Sequence, residues 1–190
     1  MYIQNRRDCG KFKDCSPHSP TLHILNVVCH SKLKLLKRIE VKKGDMLQRT
    51  GDLNSKVYQV KSGLLRSYTI DDKGKEHIFM FAPENWVIGD GVPFGKPCQL
   101  FIDAIEDSII IPIERDSTVL SNSDKLIKRV EILQNRVTML MSASAIKRYY
   151  DFIQTYPDIV QRVPQKMIAS YLGITPEALS RVRKALSQGK

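Results

Sequence analysis

Nothing in this 190-residue chain stays apolar for the ~18 residues that a membrane-crossing helix needs, so no span is expected. The opening segment from Met1 to Asp14 is basic and lacks the apolar stretch of a secretory signal, so it is not read as one and the cytoplasm is the expected location. The motifs of covalent and phosphoryl chemistry are missing too. There is no phosphate-binding glycine loop, no G-x-S-x-G elbow and no C-x2-C pair. Histidine is scarce: of His18, His23, His30 and His77, one falls in the β-rich middle, so a barrel metal site of clustered imidazoles and a carboxylate is not expected. No enzyme and no metal follow from these residues. Cysteine is limited to Cys9, Cys15, Cys29 and Cys98. Free cytosolic thiols are the expected state, with a redox-sensitive Cys9–Cys15 pair as the alternative.

What is present is positive charge, unevenly spread. The net charge is +10. Residues 1–43 carry ten Lys/Arg against three Asp/Glu, residues 44–144 twelve against fourteen, and residues 145–190 eight against three. A basic C-terminal unit suits a phosphate-bearing partner. The basic start reads as a solvated leader.

The C-terminal segment from Val163 carries the sharpest local pattern. Pro164 can open a helix, because its missing N–H would be unpaired there anyway. Gly173 suits a left-handed cap, Thr175 an N-cap, and Pro176 the first turn of a second helix. Ala169 is small where two helices would cross. Helical spacing turns Ile174, Leu179, Val182 and Leu186 inward and Glu177, Ser180, Arg181 and Lys184 outward. This is the spacing of a helix-turn-helix, whose second helix enters the DNA major groove. Arg181 could bond guanine bidentately and Glu177 could accept from the cytosine amine. A surface helical hairpin with an ordinary Glu–Arg pair is the plainer alternative.

The middle of the chain is β-rich. Val57–Val60, Leu64–Ile70, Glu76–Phe81, Leu100–Ala104 and Ser108–Ile113 read as short strands, with turns at 61–63 and 71–74 and glycines 44, 51 and 63 at turns. Such spacing argues for an antiparallel sandwich or barrel. From Ser123 to Ser144 a helix follows. Leu126, Val130, Leu133, Val137 and Leu140 alternate four and three apart, as in a dimer seam, while Ile127, Ile132 and Met141 lie off it. One face could pack on the barrel and the other on a second copy; purely internal packing is the alternative.

In order along the chain stand Val41-x-x-Gly44-Asp45-x-Leu47, Gly51-Asp52, Tyr58-x-Val60-x-x-Gly63-x-Leu65-Arg66, Gly89-Asp90, Ala104-x-Glu106, and Ile168-Ala169-x-x-Leu172-Gly173 leading to Glu177-x-Leu179-Ser180-Arg181. The set resembles the Crp/Fnr family of bacterial transcription regulators, from about Leu22 to Lys190. The resemblance implies an α+β chain: a leader (1–21), a cyclic-nucleotide-binding-like antiparallel β-barrel or jelly roll (22–116), a dimerisation helix (117–144) and a helix-turn-helix domain (145–190). It also implies a homodimer on near-palindromic double-stranded DNA, with RNA polymerase as a further partner. Glu177 and Arg181 are then the base contacts, and Lys166, Thr175, Ser180, Arg183 and Lys184 the backbone or secondary contacts. A ligand-binding or interaction module whose helix-turn-helix no longer reads DNA is the competing reading.

Four departures qualify the resemblance. The family places an Arg directly before the Glu, where this chain has Pro176, so one base contact is missing. The chain stops four residues after Leu186, without the β-hairpin wing of many relatives, and is expected to be a short, wing-less type. Fnr-type relatives hold an iron–sulfur cluster through N-terminal cysteines and one barrel cysteine. That last position falls near Ile111 rather than Cys98, so no cluster is expected. The effector pocket, placed at Gly89, Asp90, Cys98 and Gln99, has no Arg for a cyclic phosphate, and an unpaired buried charge is expensive. Cyclic AMP is therefore expected to bind weakly. Titration calorimetry should return a Kd far above the micromolar range (about −8 kcal/mol), and micromolar or tighter binding would overturn this reading.

Overall fold

The computed structural model describes residues 37–53, 55–93, 95–113 and 123–188, with backbone alone at 123–126, 128 and 129. The leader, Cys9, Cys15, Cys29 and the side chain of Leu126 lie outside the described residues.

Among the described residues eight strands come first: β1 (Ile39–Val41), β2 (Met46–Gln48), β3 (Val57–Ser62), β4 (Leu65–Ile70), β5 (Glu76–Ala82), β6 (Val87–Gly89), β7 (Phe101–Ala104) and β8 (Ser108–Ile113). They form two antiparallel sheets, ordered β1-β8-β3-β6 and β2-β7-β4-β5. The five strand runs legible in the sequence are all present. β1, β2 and β6 were not legible, because each is three residues long, too short for any alternation to stand out from the surrounding loops. Five helices follow: α1 (Ser123–Ser142), α2 (Ala145–Thr155), α3 (Ile159–Arg162), α4 (Gln165–Leu172) and α5 (Pro176–Ser187). The long helix ends two residues earlier than expected, because Ser144 leaves it to cap α2, its hydroxyl accepting from the Lys147 N–H.

Between the sheets, Val41, Tyr58, Val60, Leu65, Ala82, Ile88, Ile102, Ala104 and Ile110 form the barrel core. The outer face of the second sheet is also covered. There Leu64, Tyr68, Ile78 and Phe81 meet Tyr149, Phe152, Tyr156, Ile168 and Leu172 from the helices. Strand β4 is consequently buried over its first four residues, on both faces. Its one charged member, Arg66, is buried against an acidic pair. It donates bidentately to Asp103 at 2.8 and 2.9 Å and to Glu76 at 2.6 Å, and stacks on Tyr68 with its guanidinium carbon 4.2 Å from the ring centre.

Two polar ties fasten the helices to this sheet. β5 is an edge strand, and Ser170 of α4 takes the place of a neighbouring strand: its hydroxyl donates to the Glu76 carbonyl at 2.7 Å and accepts from the Ile78 N–H at 3.0 Å. Arg162 of α3 donates to Glu84 at 2.9 and 3.0 Å and to Glu106 at 2.7 and 3.1 Å. Burial is the largest single influence on the Glu84 carboxyl and would raise it, but the Arg162 hydrogen bonds and charge, together with backbone N–H donors including that of Gly63, outweigh it and hold it below the ordinary carboxylate value.

The β3–β4 hairpin shows how tightly the barrel closes. Gly63 has φ +89°, and its N–H donates to Glu84. A Cβ there would stand 2.6 Å from the Asp107 carbonyl and 2.7 Å from Ser108 Cα, and would overlap the Ser108 hydroxyl that accepts from the Leu64 N–H. Gly63→Ala should therefore cost roughly 2 kcal/mol or more, from left-handed strain together with the clash. Chemical denaturation checks this, and a loss under about 0.5 kcal/mol would contradict the packing described here.

Candidate nucleic-acid interface

Helix α4 ends as its sequence suggests. Gly173 is left-handed at φ 65°, and the N–H groups of Gly173 and Ile174 return to the Ser170 and Ala169 carbonyls. Pro164 sits one position outside the helix, at the N-cap, rather than in the first turn. The chain then reverses, and Thr175 caps α5, its hydroxyl accepting from the Ala178 N–H at 3.2 Å with Pro176 next in line. Ala169, 1% exposed, lets the two helices approach. Leu179 and Val182 anchor α5 in the core, and Ile174 and Leu186 pack against it half-buried.

The opposite face of α5 is open. Glu177, Ser180, Arg181 and Lys184 are exposed, as are Thr175 at the cap and Lys166 on α4; Arg183 is half-buried. The Glu177 carboxyl is held below its ordinary value by a hydrogen bond from its own backbone N–H, then by the Thr175 hydroxyl and the Arg181 charge. A carboxylate at a helix N-terminus also matches the helix dipole. At neutral pH this edge therefore offers an acceptor at Glu177 and a five-donor fork one turn later at Arg181, in a water-facing strip.

In the barrel, Cys98 and Gln99 line an open cleft of about 590 Å³ together with Thr50, Gly51, Val92, Pro93, Lys96 and Pro97. Gly89 and Asp90, expected in the pocket, are not part of its lining. The Asp90 carboxylate is buried and accepts from the N–H groups of Val92, Gln99 and Leu100 at 3.2, 2.6 and 2.8 Å, so it folds the loop on itself. The one cation of the lining is Lys96, which is exposed. Inside the barrel, Gln48 Oε1 and Ser67 Oγ are buried with no hydrogen-bond partner among the described residues. Ile111 lies on β8 opposite Gln59 and supplies no iron ligand, so the described residues do not complete a four-cysteine cluster set. Among them no group of three or more His, Cys, Asp or Glu could hold a metal.

Helix α1 is divided differently from the expected seam. Ile127, Val130, Leu133, Val137 and Met141 are exposed and share one stripe, Met141 at 81%. Ile132, Arg136, Met139, Leu140 and Ala143 are half-buried, and Arg136, Leu140 and Ala143 lie against Tyr171, Gly173 and Arg148 of the C-terminal helices. Leu140, expected in the seam, is thus turned inward, and Ile127 and Met141, expected off the seam, join the open stripe. The sequence reading missed the arginines that hold α1 to the helix-turn-helix. Arg136 lies over the Tyr171 ring at 3.9 Å and donates to its carbonyl, and Arg148 reaches three carbonyls. The available signal was a pair of cations placed among otherwise apolar inward positions.

Residues 38–119 match the cyclic nucleotide-binding domain family. The chain is 28% identical over 206 residues to the fumarate and nitrate reduction regulatory protein of Yersinia pestis, covering 95% of this chain and 80% of that one. Its fold is similar to that of FixK2 from Bradyrhizobium japonicum, with TM-score 0.67, 21% identity and coverage of 82% and 86%. It is also similar to a CRP/FNR-family transcriptional regulator from Thermus thermophilus, with TM-score 0.61, 17% identity and coverage of 80% and 87%.

The hydrogen bonds at Glu177 set a pH signature. A depressed folded-state value means that its contribution to α5 is complete above the unfolded-state value and is lost as pH falls through the folded one. Carboxyl NMR of Glu177 should titrate below the ordinary value of about 4.3. A midpoint at or above it would contradict the capped geometry.

Proposed function

We propose that this chain is a transcription regulator of the Crp/Fnr family and binds DNA as a homodimer that places two α5 helices in successive major grooves of a near-palindromic site. It is a regulator and not an enzyme. The observation that carries the reading is α5 itself: a capped helix anchored by Leu179 and Val182, with Glu177, Ser180, Arg181 and Lys184 turned to water. A Glu–Arg pair one turn apart is common on exposed helices; what favours DNA is its place on the open edge of the second helix, directly after the Gly173 turn and the Thr175 cap.

The roles follow from donor chemistry. Arg181 bonds the O6 and N7 of guanine, and Glu177 accepts from the amine of cytosine. Lys166, Ser180 and Lys184 meet phosphates, with Thr175 and the half-buried Arg183 in secondary contacts that fix register rather than sequence. Pro176 removes one base contact, so the half-site is read through fewer side chains than in relatives with an Arg there. The exposed stripe of α1 supports the dimer: five large apolar side chains in water on one helix face are best satisfied by a second copy of that helix. Residues 22–116 serve as the effector barrel, 117–144 as the dimer helix and 145–190 as the DNA-binding unit. The regulator works in the cytoplasm, and RNA polymerase is its further partner; among the described residues no helix is long and apolar enough to cross a membrane.

Cyclic AMP is not the effector in this reading. The cleft at Cys98 and Gln99 offers one exposed cation, Lys96, and the Asp90 carboxylate is engaged by the loop backbone. Effector occupancy of the barrel would act by shifting its packing against the helices docked on the second sheet, and through them α1.

The test is selection from a random duplex pool with wild type and Arg181→Ala in parallel. Wild type should enrich a two-fold symmetric site, and the variant should bind it about 5- to 150-fold more weakly with relaxed preference at one position of each half-site (~1–3 kcal/mol). Failure of wild type to enrich any site at low salt would favour an interaction module instead.

A further inference from the structure

The C-terminal ends of α1 and α4 meet at a single side chain. Arg148, in the first turn of α2, donates through Nε to the Ala143 carbonyl at 3.0 Å and through Nη2 to the Leu140 carbonyl at 2.6 Å, both at the end of α1. Through Nη1 it donates to the Leu172 carbonyl at 3.1 Å, the last residue of α4. The guanidinium lies against the helix-turn-helix turn itself: a Cβ on Gly173 would stand 3.6 Å from Nη1 and 3.6 Å from Leu140 Cδ2. Carbonyls at helix C-termini are unpaired and carry partial negative charge, so two such ends in contact repel unless a cation with several donors stands between them. Arginine has a planar five-donor fork that can serve both ends at once, and lysine does not. The residues that set the direction of α5, Gly173 and Ile174, follow Leu172 directly.

We propose that Arg148 is a positioning residue for DNA recognition: it fixes the angle between α1 and the helix-turn-helix, and through it the separation of the two recognition helices across the dimer. The proposal rests on the dimeric DNA-binding reading for its consequence, and on the three hydrogen bonds for its geometry. Arg136, donating to the Tyr171 carbonyl at 3.2 Å from one face of α1, acts in the same direction but on one helix end alone. A residue needed only for folding would weaken binding to all duplexes alike. A positioning residue changes which half-site spacing is preferred.

Two measurements test this on the full chain with Arg148→Gln and Arg148→Lys. The first is an intrachain electron–electron distance between labels at Asn135→Cys and Ser187→Cys, both exposed. It is made with Cys9, Cys15 and Cys29 replaced by Ser and with excess unlabelled chain. Wild type should give one narrow distance, the Gln variant a distribution at least twice as wide, and the Lys variant an intermediate one. The second is affinity for duplexes whose selected half-sites are moved one base pair closer or further apart. Wild type should discriminate by about tenfold, and the Gln variant by threefold or less, while its base preferences within each half-site are kept. A folded Gln variant with the wild-type distance and the wild-type spacing profile would overturn the proposal. Should wild type select no duplex, the DNA reading fails, and the intrachain distance alone decides whether Arg148 holds the angle.

Discussion

The apolar contact between the outer face of the second sheet and the C-terminal helices is the constraint on which the rest depends. Phe81 of β5 meets Phe152, Tyr156 and Tyr171 with ring centres 6.2, 6.0 and 5.7 Å away. Such pairs contribute about 0.5–1.5 kcal/mol each beyond the area they bury. Because the barrel and the helix-turn-helix share this cluster, neither is complete alone. The polar ties of Ser170 and Arg162 then orient what the aromatic contact holds: one covers an edge strand that would otherwise show unpaired backbone, and the other joins α3 to two barrel turns. A binding event in the barrel thereby has a packed route to α4 rather than a flexible tether.

The same constraint accounts for the open surfaces. With α2 and α4 pressed against the sheet, α1 meets its own chain toward its C-terminal end, at Arg136, Leu140 and Ala143. Its other face, from Ile127 to Met141, faces water in the single chain. α5 lies on the far side of α4, and its outward edge is free to meet a partner of opposite charge. The basic excess of residues 145–190 lies mostly on this unit, where it can neutralise phosphates.

Much of this was legible in the amino-acid sequence, for identifiable reasons. Gly173, Thr175 and Pro176 act through backbone conformation and capping, which are local, and each was found where its chemistry demands. Strands β3, β4, β5, β7 and β8 carry enough apolar or β-branched residues to declare themselves. The short strands β1, β2 and β6 draw their pairing from neighbours distant in the chain, and three residues are too few for a local pattern to mark them. Leu140 fits a seam by spacing alone, yet its helix is rotated by a contact with Gly173 and Arg148 that periodicity does not encode. Asp90 looked like half of a nucleotide site; its use as the clamp of its own loop depends on the N–H groups of Gln99 and Leu100, brought back by the fold.

The central claim is that two copies of this chain read one duplex through α5. It is tested most directly by measuring stoichiometry and salt dependence of binding to a duplex carrying the selected symmetric site. The account predicts two chains per duplex and a logarithmic salt slope of about −4 or steeper, since several lysines and arginines release counterions together. One chain per duplex, or affinity indifferent to salt, would contradict it.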